Sequence, residues 1–123
     1  MKRKIILAII TCSFLASGCK YDNEEELYGA ITCNTSNVTY SSTITGIINR
    51  YNCLSCHGTP LSSNAPFSLE GYANVKAKVT DGRLFGAINH VNGYAAMPEG
   101  QPKMNQCDIN KVKAWIDAGA PNN

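Results

Sequence analysis

Apolar residues recur at helical spacing in several stretches of the chain and nowhere alternate with period two for long enough to argue a sheet. Ile44, Ile47, Ile48 and Tyr51 fall at i, i+3, i+4 and i+7. They predict a helix that Ser41 or Ser42 can cap and that leads straight into Cys53. Tyr72, Val75 and Val79 share a face of a second helix, from about residue 70 to 79, before Asp81-Gly82 breaks the chain. Residues 83–89, with Leu84, Phe85 and Ile88, give another turn or two. The last helix has the clearest limits. Asn105-Gln106-Cys107-Asp108 reads as a capping box, with Asn105 as cap and Asp108 at N3 in place of the more usual Glu. Ile109, Val112 and Ile116 line one face with Trp115 beside it, Gly119 fits just past the end, and Pro121 forbids continuation. Residues 58–66 and 92–103 are loops, and Val38-Thr39-Tyr40 is a short extended piece. The expectation is an all-α domain of about four short helices.

A different pattern governs the first residues. Lys2, Arg3 and Lys4 precede an apolar run from Ile5 to about Ala16, and small residues lead to Cys19. This is the layout of a secretory signal, too short for a transmembrane helix of about 20 apolar residues. Leu15-Ala16-Ser17-Gly18-Cys19 resembles a bacterial lipoprotein cleavage box. That resemblance implies removal of a signal peptide, residues 1–18, and a diacylglycerol on the Cys19 sulfur; ordinary cleavage nearby would leave a plain thiol. Residues 19–32 then form an acidic tether. Its KYDNEEELYG run also resembles the acidic signal of surface-exported lipoproteins of the Bacteroidetes type. The protein is therefore expected to be exported and lipid-anchored to a bacterial membrane, the outer one, on its periplasmic or cell-surface face. Without residues 1–18, Lys and Arg fall from 11 to 8 against 9 Asp and Glu, so the formal +2 becomes −1. No basic stripe remains, which argues against nucleic acid as a partner.

Of the six cysteines, Cys12 leaves with the signal and Cys19 is the lipid site, so Cys33, Cys53, Cys56 and Cys107 remain. Exported thiols tend to oxidise. Cys53-Leu54-Ser55-Cys56-His57 admits three chemistries. A redox dithiol of thioredoxin type follows a strand in a βαβ unit, and no strand run precedes Tyr51. Zinc wants four ligands, an imidazole adjacent to the second cysteine is awkward for a tetrahedral site, and only His90, Cys33 and Cys107 could complete it. A covalent haem uses all three residues: the two thiols form thioethers with vinyl groups on one porphyrin edge, and His57 turns its imidazole to the iron. C-x-x-C-H is the attachment signature of c-type haem. Cys33 and Cys107 then flank the haem segment and are expected to pair. Closing a loop of about 74 residues stabilises by at most about 4 kcal/mol in the chain-entropy model. A domain of about 90 residues has a small core, so the haem is expected to be part of the fold and the apoprotein to be poorly ordered.

Met97, Met104 and His90 are the candidates for the sixth iron position. Met104 falls at N′ of the last helix, where a hydrophobic staple to Ile109 at N4 already employs it. Met97 sits in a loop with no apolar periodicity, and Pro98 fixes the backbone after it. A thioether favours Fe(II) and raises the potential over a second imidazole. Met97 is the expected ligand; His90, which follows a helical turn, and an open position are the alternatives.

Cys53-Leu-Ser-Cys-His57 after an N-terminal helix, Met97-Pro98 about forty residues on, and a C-terminal helix with Trp115 resemble the class I small monohaem cytochromes c. LFGAINHVNGYAAMPEG and WIDAGAPNN are similar to the lipoprotein-anchored form found in Bacteroidetes. The resemblance covers residues 33–123, the expected monohaem cytochrome c domain. It implies a cytochrome c-like fold in which the first and last helices cross, Ile44 and Ile48 against Ile109, Val112 and Ile116, with Gly46 allowing close approach. It makes His57 the proximal and Met97 the distal ligand. It also implies that His57 donates its second N–H to a backbone carbonyl near a proline, Pro60 or Pro66, and it offers Arg83 and Tyr72 to the propionates. Asn49 stands where the family carries an aromatic, with Tyr51 as the substitute.

The expected function is one-electron transfer through one covalent haem c, between redox protein partners that donate and accept electrons, with the lipid holding the protein at a membrane. No general base or paired nucleophile suggests an enzyme or a small-molecule substrate. A haem-based sensor whose Met97 is displaced by a small ligand is the alternative. A haem-free module held by zinc or a Cys53–Cys56 bridge is a third.

Overall fold

The first N–H groups of a helix need partners from outside it, and the first helix finds two of them at the far end of the chain. Asn123 accepts from the Tyr40 N–H through its Oδ1 at 2.9 Å and from the Ser41 N–H through its carbonyl at 2.8 Å. The serines expected to cap are therefore inside the helix. Thr39, extended at φ −113° and ψ 154°, occupies the cap position before a π-helical turn, Tyr40–Ile44, which runs on as α1 (Thr45–Arg50). Of the predicted extended piece, Thr39 is extended while Tyr40 belongs to the helix.

This computed structural model describes residues 32–62 and 64–123. The expected signal peptide, the expected lipid site at Cys19 and the expected tether as far as residue 31 lie outside the described residues. Residues Cys33–Asn123 form one compact unit. After α1, Asn52 turns the chain with φ 51°, a conformation asparagine tolerates better than most residues. A short helix that the apolar spacing did not predict follows, α2 (Leu54–His57). Next come α3 (Tyr72–Thr80) and α4 (Arg83–Ile88), separated by Asp81 and by Gly82 at φ 75°. The last helix is α5 (Gln106–Asp117). Among the described residues there is no strand, and the fold is all-helical. No helix among them is long and apolar enough to cross a membrane.

The end of α5 follows from its sequence. Gly119 at φ 89° bonds its N–H to the Ile116 carbonyl, and the Ala120 N–H reaches back to Trp115 at 2.8 Å. This doubled return pattern satisfies two orphan carbonyls, and Pro121 follows it. The beginning differs from the expected box. Asn105 Oδ1 accepts from the Cys107 N–H at 2.8 Å, but Asp108 does not reach back to Asn105. Tyr51 stands between them, accepting from the Asn105 N–H and donating to Asp108 Oδ2, each at 3.0 Å. Arg50 also donates to Asp108, at 2.7 Å.

The opening π turn packs against α5, α3 against α4, and α4 against α5. Trp115 and Val75 are fully buried, with Ile44, Ile109 and Val112 nearly so. Each such aliphatic side chain contributes about 1.5–3 kcal/mol by leaving water. Trp115, rather than the half-buried Ile116, completes the inward face of α5. Tyr40 joins this core with ring centroids 5.1 Å from Tyr72, edge to face, and 5.9 Å from Trp115. Gly46 plays no part in a close crossing: a Cβ built there meets nothing within 4 Å, because Ile44, Ile47 and Ile48 carry the contact.

Candidate functional site

Short helix α2 brings Cys56 and His57 to one wall of a cavity, with Cys53 as its cap residue. His57 is only 8% exposed. Its Nδ1 lies 2.8 Å from the Phe67 carbonyl oxygen. A carbonyl can only accept, so Nδ1 carries a proton, and in the neutral imidazole Nε2 is the nitrogen with the lone pair. The Phe67 ring also stacks on the imidazole, with centroids 4.8 Å apart and planes 24° from parallel. The loop is tied to the same residue from behind: the Leu69 N–H and the Ser68 hydroxyl both donate to the His57 carbonyl, at 2.7 and 3.1 Å. The carbonyl that orients His57 is thus the one following Pro66, and Pro60 has no such role. Phe67 itself carried no signal in the sequence, being one aromatic in a polar loop.

The cavity has a volume of about 870 Å³, at the upper end of small-molecule sites. Ile44, Ile48, Leu69, Leu84, Ile88 and Val112 give it apolar walls. Cys53, Cys56, His57 and Met97 all border it, so the four residues singled out in the sequence meet at one place. Arg50, Lys78, Arg83 and Lys103 reach it against one acid, Glu99. Ser62 also borders it, and its Oγ is buried with no hydrogen-bond partner among the described residues.

Met97 is half-buried and is held by its backbone. Its N–H donates to the Ala87 carbonyl at 3.1 Å, and its carbonyl lies 3.0 Å from His90 Nε2. His90 is exposed and does not border the cavity. Met104 borders the cavity but is buried in the core with Ile109, as its place before the Asn105 cap predicts. Arg83 reaches the cavity. Tyr72 does not: its hydroxyl donates to the Ala120 carbonyl at 2.8 Å, which corrects its assignment to a propionate. Tyr51 borders the cavity while its hydroxyl serves α5, and Asn49 is exposed.

The donor set discriminates between chemistries. Cys33 and Cys107 are joined in a disulfide, with Cα atoms 5.4 Å apart, and so offer nothing to zinc. No cluster of three or more His, Cys, Asp or Glu able to hold a metal occurs among the described residues. Cys53 and Cys56 are unbonded, half-buried and exposed respectively. Burial pushes the Cys53 thiol above its ordinary value, the reverse of the thiolate that a redox dithiol needs. Two thiols three apart, an imidazole with Nε2 unengaged by any hydrogen bond among the described residues, and a wide apolar chamber do fit a covalently held haem.

What the fold and site define is an all-helical domain around an apolar chamber, with two free thiols and an oriented imidazole on one wall. No family model matches this chain, and no curated protein or solved structure is significantly similar to it.

Proposed function

We propose that this protein carries one c-type haem on Cys53 and Cys56, with His57 and Met97 as iron ligands in a cytochrome c-like arrangement, and that it transfers single electrons outside the cytoplasm. The observation that carries the reading is the Nδ1–H of His57 fixed on the Phe67 carbonyl. Metal-binding imidazoles are oriented by such a bond on their other nitrogen, and a free thiol pair directly precedes this one. Cys53 and Cys56 would hold the group as thioethers, each sulfur adding to one carbon of a vinyl group and its hydrogen to the other, with no oxidant needed. When bound, the haem supplies reversible Fe(III)/Fe(II) chemistry. The chain's own residues do the rest: the Phe67 stack holds the imidazole plane, the isoleucines of the first helix exclude water, and the backbone bonds of Met97 hold a soft neutral donor that favours the reduced metal. Electron donor and acceptor proteins are the proposed partners, and lipidation at Cys19 would keep the encounter at a membrane surface.

The test is expression of the full chain in a host that attaches haem to exported proteins. One covalently added haem, retained under denaturing conditions and lost on joint Cys53→Ala and Cys56→Ala substitution, is the expected result. Exported protein with unmodified thiols would overturn the reading. Rapid carbon monoxide binding by the reduced protein would replace electron transfer with the ligand-sensing alternative.

A further inference from the structure

We propose that His90 is a positioning residue for Met97, part of a latch that the protein closes by itself, so that the sixth iron position stays filled against outside ligands. The inference rests on the haem reading above and adds to it a residue that is neither a ligand nor part of the cavity wall.

Both ends of the segment 89–97 are tied to helix α4. At its start, the His90 N–H donates to the Ala87 carbonyl at 3.2 Å and the Val91 N–H to Gly86 at 2.9 Å. At its end, the Met97 N–H donates to the same Ala87 carbonyl. His90 adopts φ 55°, a conformation uncommon for residues other than glycine. Its Nε2 lies 3.0 Å from the Met97 carbonyl, and since a carbonyl only accepts, Nε2 is the donor. Both backbone polar groups of Met97 are therefore engaged by residues 87 and 90.

The middle of the segment is seated by packing. The Tyr94 ring lies on Gly86 so closely that a Cβ there would come within 2.5 Å of Cδ2 and 2.6 Å of Cγ. Only glycine leaves room for that ring. Four contacts with α4 thus set where Met97 stands, and none of them involves a metal. A donor fixed in advance loses little freedom on binding, and a competing ligand must displace it against these contacts.

The experiment uses the full haem-loaded chain, with far-red iron–sulfur absorption of the oxidised form and carbon monoxide binding to the reduced form as readouts. His90→Ala removes one hydrogen bond and is expected to speed carbon monoxide binding about three- to tenfold, with the main haem absorption unchanged and the melting temperature lowered by only a few degrees. His90→Gln, which keeps an amide donor, is expected to restore the slow rate. Gly86→Ala evicts the Tyr94 ring and is expected to give a larger acceleration with a weakened far-red band. A His90→Ala rate equal to that of the unmodified protein overturns the latch, as does a changed rate that His90→Gln fails to restore. Absence of the far-red band in the unmodified protein overturns the Met97 reading itself, and this is seen before any variant is made.

Discussion

Tyr51 donates its hydroxyl to the carboxylate of Asp108, 57 positions along the chain, at 3.0 Å. The same oxygen accepts the Asn105 N–H, so the first turn of α5 is completed by a residue from beyond the end of α1. A capping box normally closes within four residues. Here the closing group is borrowed, and the borrowing binds the two helices together.

Replacing Tyr51 with Phe should therefore cost about 1–3 kcal/mol, chiefly because the buried Asp108 carboxylate loses a donor. Arg50→Ala should cost less, because that guanidinium is 61% exposed while Asp108 is 7% exposed, and exposed ion pairs contribute little. Urea unfolding of both variants checks the order.

Burial holds the Tyr51 hydroxyl above its ordinary value, with the Asn105 N–H opposing it and the bond to Asp108 adding to it; burial does the same at Tyr40. A group with a raised folded pKa contributes stability that is present below its unfolded value and lost as pH rises through the folded one. Melting temperature should thus stay level from about pH 8 to about pH 10 and decline above it. Tyr51→Phe should flatten part of that decline.

Met97 and Met104 both border the cavity but stand in different surroundings. Met97→Ala should abolish the far-red band and admit carbon monoxide while changing stability little. Met104→Ala, at a residue 5% exposed in the core, should cost about 2–5 kcal/mol and leave the band in place. Spectra and urea titrations on the same samples separate the two effects.

Joint Cys33→Ser and Cys107→Ser substitution should lower stability by about 2–4 kcal/mol without preventing haem attachment. Denaturant titration measures the first outcome and mass analysis the second.

Much of α5 was readable because its signals are local. The Asn105 cap, the glycine at the end and the buried positions of the helix all act within a few residues. The meeting of Cys53, Cys56 and His57 at one cavity wall is local in the same sense, because their close spacing puts them on and beside one short helix. What escaped notice depends on partners far away in sequence. Ser41 and Ser42 looked like caps because nothing nearby suggested that Asn123 would take those N–H groups. Tyr51 reads as an apolar position and a substitute aromatic, and its hydroxyl goes unforeseen because the partners it finds lie in another helix. Phe67, whose carbonyl orients His57, acts through a backbone atom that every residue possesses.

The bonds from Asn123 to the amides of Tyr40 and Ser41 have a dynamic consequence. Those two hydrogens can exchange with solvent only when the carboxy-terminal residues lift away, so fraying at one end of the domain registers at the other. Isotope labelling at residues 40 and 41 would clock that detachment, and the opening turn at Tyr40 should open together with Asn123 as a single cooperative unit.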